Sequence, residues 1–110
     1  EIGDDIISDA ARYISSNFTH DFSLTQLAAK YNMSPSYFSR KFKLCTGFGY
    51  KEYLITIRIL EAGKLLLNTD LSITEIAEKC GFDDSNYFGD SFKKVKGISP
   101  REYRKANGIV

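Results

Sequence analysis

At 110 residues and 43% hydrophobic, the chain can bury one core or two small ones sharing a helix, and no apolar run approaches the roughly 20 residues that span a bilayer. No basic segment leads into an apolar one as in a secretory leader, so a cytoplasmic domain with no membrane partner is expected. The net charge of +1 argues only weakly for nucleic acid, while one histidine and two isolated cysteines leave no material for a metal cluster or a catalytic triad.

Asp4 to Phe18 reads as an opening helix, because Ile6, Ile7, Ala10, Ala11, Ile14 and Phe18 recur at three to four residues and Asp4, Asp5 and Asp9 suit its N-terminal half. Its outer face is acidic. His20 lies in a Thr19-His20-Asp21 connection and is expected to be a solvated loop residue. A short helix then starts at Ser23, with Leu24, Leu27 and Ala28 on its apolar side and Asn32 at the turn, where asparagine tolerates a left-handed backbone. Ser34 caps the next helix and Pro35 takes its first position, a strong start signal. Phe38, Phe42 and Cys45 form the apolar side of that helix with Tyr37 at its edge, leaving Ser36, Ser39, Arg40 and Lys43 on the other side. Two short helices joined by so tight a turn are the pattern of a DNA-binding helix-turn-helix, and in the later copy small Ala77 stands where the second helix must cross closely.

Gly49 to Asn68 reads as a long connecting helix whose apolar residues cover more than one face, as expected if a lobe buries each end. About 20 residues at 1.5 Å each give roughly 30 Å, near the roughly 34 Å between successive major-groove windows on one side of DNA. Arg58 in this helix can meet a phosphate or pair with Glu61. Ser72 and Glu75 then form a capping box for a helix through Ile73, Ile76 and Ala77, which Gly81 stops. Asp83 or Asp84 caps the following helix, with Tyr87, Phe88, Phe92 and Val95 as its apolar side and Ser85, Asn86, Gly89, Asp90 and Lys93 as its polar one. Ser99, Pro100 and Glu102 open a closing helix, and 106–110 reads as a frayed tail. Both cysteines, Cys45 and Cys80, are expected to be small buried apolar residues in a reducing cytosol.

The second helix-turn-helix repeats the first. Leu24, Leu27, Ala28 and Asn32 stand 49 residues before Ile73, Ile76, Ala77 and Gly81. After one extra residue, Tyr37, Phe38, Phe42, Lys43, Gly47, Glu52 and Tyr53 stand 50 residues before Tyr87, Phe88, Phe92, Lys93, Gly97, Glu102 and Tyr103. Charge follows the same division. Residues 1–21 hold five acids against Arg12 alone, so the remainder carries +5, gathered at Arg40, Lys41 and Lys43, at Lys93, Lys94 and Lys96, and at Arg101, Arg104 and Lys105.

The stretch RILEAGKLLLNTDLSITEIAEKCGFDDSNYFGDSFKKVKGISPREYRK resembles the signature region of the AraC/XylS family of bacterial transcription regulators, and the likeness reaches back through LTQLAAKYNMSPSYFSRKFKLCTGFGYKEYL. The resemblance implies an all-α domain of about seven helices, with one helix-turn-helix subdomain over 4–48, a linker helix over 49–68 and a second subdomain over 69–110. It also implies double-stranded DNA as ligand, a contact with RNA polymerase, and a sensing or receiver domain in the full-length protein. Gly63 and the Gly89-Asp90 pair depart from the family's pattern.

On this reading the DNA-binding set is Ser34, Ser36, Tyr37, Ser39, Arg40 and Lys43 in the first unit and Ser85, Asn86, Gly89, Asp90 and Lys93 in the second. Lys41, Arg58, Lys94 and Arg101 are candidate phosphate contacts. An arginine at position 40 can bond guanine O6 and N7 together, and Asn86 can pair with adenine. Asp90 is repelled by phosphates unless it accepts from cytosine N4 or points at a lysine. No cofactor or metal is expected, and the absence of convergent acids or a phosphate-binding glycine loop argues against an enzyme. The alternative is a helical protein-interaction module with a degenerate DNA face.

Overall fold

The computed structural model describes residues 2–107, with side chains from Asp5 onward. Seven α-helices and no strands are found among these residues: α1 (Ile2–Ser16), α2 (Leu24–Lys30), α3 (Pro35–Thr46), α4 (Tyr50–Asn68), α5 (Ile73–Lys79), α6 (Ser85–Lys96) and α7 (Pro100–Asn107). Contacts divide the chain into two compact units, Glu1–Leu54 and Ile55–Val110, and the division falls within α4.

In the first unit, Ile7, Ala10 and Ile14 of α1, Leu27 and Ala28 of α2, Phe38 and Phe42 of α3 and Leu54 of α4 form one buried cluster. An aromatic chain runs through it. Tyr31 stacks on Phe38 at 6.3 Å, Phe38 meets Phe42 at 5.7 Å, and Phe42 meets the edge of Tyr53 at 5.4 Å. Tyr31 also donates its hydroxyl to Asp9 at 3.1 Å, tying the end of α2 to α1. Burial and that carboxylate push the phenol up to about 12.

The second unit repeats the chain of rings with Phe82 to Phe88 at 5.1 Å, Phe88 to Phe92 at 5.9 Å, and Phe92 to Tyr103 at 5.2 Å. Arg104 donates to the Leu66 carbonyl at 2.9 Å and the Thr69 carbonyl at 3.1 Å, so α7 supplies partners for carbonyls left open at the end of α4. Gly63 is buried under the Tyr103 ring, where a Cβ would lie 3.6 Å from ring and hydroxyl atoms. At that distance an added methyl would make ordinary van der Waals contacts, so packing does not demand glycine in the middle of this helix.

Helix starts follow the capping chemistry. Ser23, Ser34 and Ser72 accept the amide hydrogens of Gln26, Tyr37 and Glu75, and Asp84 accepts from Asn86 and Tyr87. The capping boxes at Ser72-Glu75 and Ser99-Glu102 are complete, each glutamate accepting from the serine amide at 3.0 Å. Those bonds hold both carboxyls below the ordinary glutamate range, with the serine backbone the largest cause. A carboxyl depressed on folding adds stability above its unfolded pKa, and that contribution is lost as pH falls through the folded value. Thermal melts between pH 7 and 3 are expected to decline less steeply in a Glu75→Gln/Glu102→Gln double variant than in the parent. Parallel declines would show that the boxes carry none of the acid sensitivity.

Three expectations are corrected. Helix α1 ends at Ser16, where a turn carried by the Asn17 and His20 amides replaces its continuation to Phe18. Helix α7 extends through Asn107, so 106 and 107 are helical, whereas the rest of the expected tail, 108–110, lies outside the described residues. Cys45 is exposed while Cys80 is buried, because α3 turns position 45 past the edge of the core; Val95, its counterpart on α6, is also exposed. Burial pushes the Cys80 thiol up to about 11, with the Glu61 charge adding to the effect and Arg58 opposing it, so it stays a neutral packing group.

Candidate nucleic-acid interface

Helices α3 and α6 are built to the same plan. Helix α6 (Ser85–Lys96) matches α3 (Pro35–Thr46) at both ends under one constant offset, and α5 (Ile73–Lys79) matches α2 (Leu24–Lys30) under an offset shorter by a single position. Left-handed turns recur at the same places. Asn32 has φ 57° where Gly81 has 94°, and the C-terminal caps Gly47 and Gly97 have 85° and 88°. Asparagine adopts this region with little strain and glycine with none, which is why those residue types stand there. Small Ala28 and Ala77 are buried, as close crossing of each helix pair requires.

With Phe38 and Phe42 facing the core, Ser36, Arg40 and Lys43 project outward from α3, with Tyr37 exposed and Ser39 half-buried on its flanks. The hydroxyl of Ser34 is engaged as the N-cap. On α6, Phe88, Ser91 and Phe92 face inward, and Ser85, Asn86, Asp90 and Lys93 are exposed, with Gly89 half-buried beside them. Tyr87, counted on the apolar side from sequence, is 53% exposed and belongs to the outward flank. Among the described residues, Arg40, Lys43, Asp90 and Lys93 have no side-chain hydrogen bond or ion pair. The charged ends of Arg40, Lys43 and Asp90 are therefore open to a ligand, while Lys93 is exposed in the field of the Glu102 carboxylate.

The expected phosphate contacts divide. Lys94 and Arg101 are exposed, whereas Lys41 is half-buried at the register of buried Ser91. Arg58 is 4% exposed, with its guanidinium 5.7 Å from the centre of the Phe82 ring. No buried side-chain donor or acceptor among the described residues lacks a hydrogen-bond partner, so the buried donors of Arg58 are satisfied within the protein. Arg58 is a core cation, and the expectation of a phosphate contact there fails because the ring of Phe82 and the surrounding core cover it.

Leu44 adjoins the outward face of α3 and was missed from sequence. It is 80% exposed one turn beyond Arg40, and its i, i+4 spacing from Arg40 was the available signal. Among the described residues no group of three or more His, Cys, Asp or Glu is placed to hold a metal, and no helix is long and apolar enough to cross a membrane.

Comparison with known proteins places these features in a wider set. A family described as a helix-turn-helix domain matches residues 27–106. The chain is 33% identical over 105 residues to an uncharacterised HTH-type transcriptional regulator of Pseudoalteromonas carrageenovora, covering 96% of this chain and 62% of that protein. It spans less than two thirds of the length of the curated relatives it first matches. Among solved structures, it superimposes with a TM-score of 0.88 on the C-terminal domain of AraT, a response regulator from Geobacillus stearothermophilus, at 40% identity over 96% of this chain and 88% of that one. It superimposes with a TM-score of 0.84 on the DNA-binding domain of the global transcriptional factor AdpA in complex with a target DNA, at 33% identity over 91% of this chain and 90% of that one.

Proposed function

Because the chain belongs to the AraC-type helix-turn-helix family, we infer that it binds double-stranded DNA sequence-specifically as part of a bacterial transcription regulator, with α3 and α6 entering successive major grooves. The observation that carries this reading is the duplication itself: two helix pairs that match but for one extra position in the second turn, each with an outward polar face carrying exposed charged ends. The DNA-complexed relative supports the choice of ligand. Helix α4, which joins the two units, is unbroken over 19 residues.

In this reading Arg40 bonds guanine, while Ser36, Ser39, Ser85 and Asn86 adapt to neighbouring base edges and Leu44 offers an apolar contact to a thymine methyl. The hydroxyls of Ser34 and Tyr37 reach sugar or phosphate, and Lys43, Lys93, Lys94 and Arg101 neutralise phosphates. The full-length protein works in the cytoplasm, carries a sensing or receiver domain and contacts RNA polymerase. The length of the relatives and the response-regulator character of AraT support an additional domain.

Binding to a duplex should weaken steeply with salt. Lys43→Ala and Lys93→Ala should each weaken every sequence alike and reduce the logarithmic salt slope by about 1, since each removes one counterion-releasing contact. Salt titration followed by fluorescence anisotropy reads this. Unchanged slopes in both variants would remove these helices from the interface and favour the protein-interaction alternative.

A further inference from the structure

Arg40 and Asp90 occupy the same place in the two units. Each is the sixth residue of a 12-residue helix, and each helix has its core phenylalanines at positions four and eight and its left-handed glycine cap immediately after the end. Each is exposed, follows a polar residue one turn earlier (Ser36 or Asn86), and precedes a lysine three residues later (Lys43 or Lys93). A repeated scaffold therefore presents opposite charges at one register.

The structure removes the structural explanation for the acid. Asp90 makes no ion pair or side-chain hydrogen bond among the described residues, and the cap of α6 is Asp84, not Asp90. Nor does it sit where a phosphate contact belongs. On α6 those outer positions hold Lys93 and Lys94, and Asp90 lies with Asn86 in the middle of the face, opposite base edges if α6 lies in the groove. A carboxylate there needs a hydrogen-bond donor to replace lost water. The major groove offers only two amino donors, cytosine N4 and adenine N6, and the adenine amine has the N7 acceptor of the same base beside it, which repels a carboxylate. Aspartate is also much shorter than arginine, so the helix must come closer to the bases. Gly89 permits that: it carries no side chain where Ser39 stands in the first unit, and a Cβ built on it would point into open space.

We infer that Asp90 selects cytosine by accepting from its N4 amine, and that the two halves of the DNA site differ at equivalent steps, guanine opposite Arg40 and cytosine opposite Asp90. This rests on α3 and α6 being the DNA-reading helices.

The test is selection from a random duplex library with the intact chain and its Asp90→Asn and Asp90→Ala variants, followed by anisotropy titrations on duplexes carrying each of the four bases at the step concerned. The parent should prefer cytosine at one step of the second window by roughly fivefold or more. Asp90→Asn should move that preference to adenine, because an amide matches adenine N6 and N7, and Asp90→Ala should abolish it, with the first window unchanged in both. Thermal melts should stay unaltered, since the residue is exposed. Cytosine preference that survives both substitutions would overturn the inference, as would a uniform gain in affinity for all duplexes, the mark of a carboxylate that merely repels phosphates. Failure of the parent to select any sequence would instead sink the DNA-reading proposal on which this one rests.

Discussion

Replacing Phe92 by alanine is expected to lower stability by about 3–5 kcal/mol, the range for a buried phenylalanine that leaves a cavity. Its ring is fully buried, faces Phe88 on its own helix at 5.9 Å and meets Tyr103 of α7 edge-on at 5.2 Å. Those partners are rigid rings anchored on two helices, so the space cannot close without moving α6 against α7. Loss on this scale is a large fraction of the roughly 5–15 kcal/mol by which native domains are stable. Tyr87→Ala, earlier on the same helix but 53% exposed, should cost below about 1 kcal/mol. Urea unfolding of both variants reads the contrast. Near-equal, small losses would mean that the ring chain does not hold the second unit together.

The largest expected effect on recognition is that of Arg40→Ala. The guanidinium is exposed on the outward side of α3 with no intramolecular partner among the described residues, so folding should be unaffected while one base step loses about 1–3 kcal/mol of discrimination. Competition between the preferred duplex and one altered at that guanine measures it. The preference should shrink at that step and persist elsewhere. If all duplexes weaken by the same factor, Arg40 meets a phosphate and the reading of bases by α3 lies with Ser36 and Ser39.

Much of this architecture is written locally in the chain. Ser34-Pro35, Ser72-x-x-Glu75 and Ser99-Pro100-x-Glu102 fix helix starts through bonds that reach no further than one turn, and Asn32, Gly47, Gly81 and Gly97 mark turns through their own backbone freedom. The near-constant offset between the two halves added what a single motif cannot, because two copies with the same apolar spacing must fold alike. Arg58 shows where local reading ends. Nothing within a turn of it distinguishes a surface cation from a core one, and it is Phe82, on the far side of α5, that covers it. Cys45 and Val95 fit an apolar period yet face solvent, since a helix presents a stripe to its core and its last turn extends past the neighbours that would bury it. Leu44 escaped notice for the complementary reason. An aliphatic residue off the apolar stripe has no pattern to belong to, and only the structure shows it exposed beside Arg40.

Selection from a random duplex library with the unaltered chain tests the central claim most directly. Two reading helices acting together should return a site of about 16 to 20 base pairs, with two blocks of preferred bases one helical turn apart. A single short block with no preference a turn away would contradict it, leaving one unit that reads sequence and one that does not.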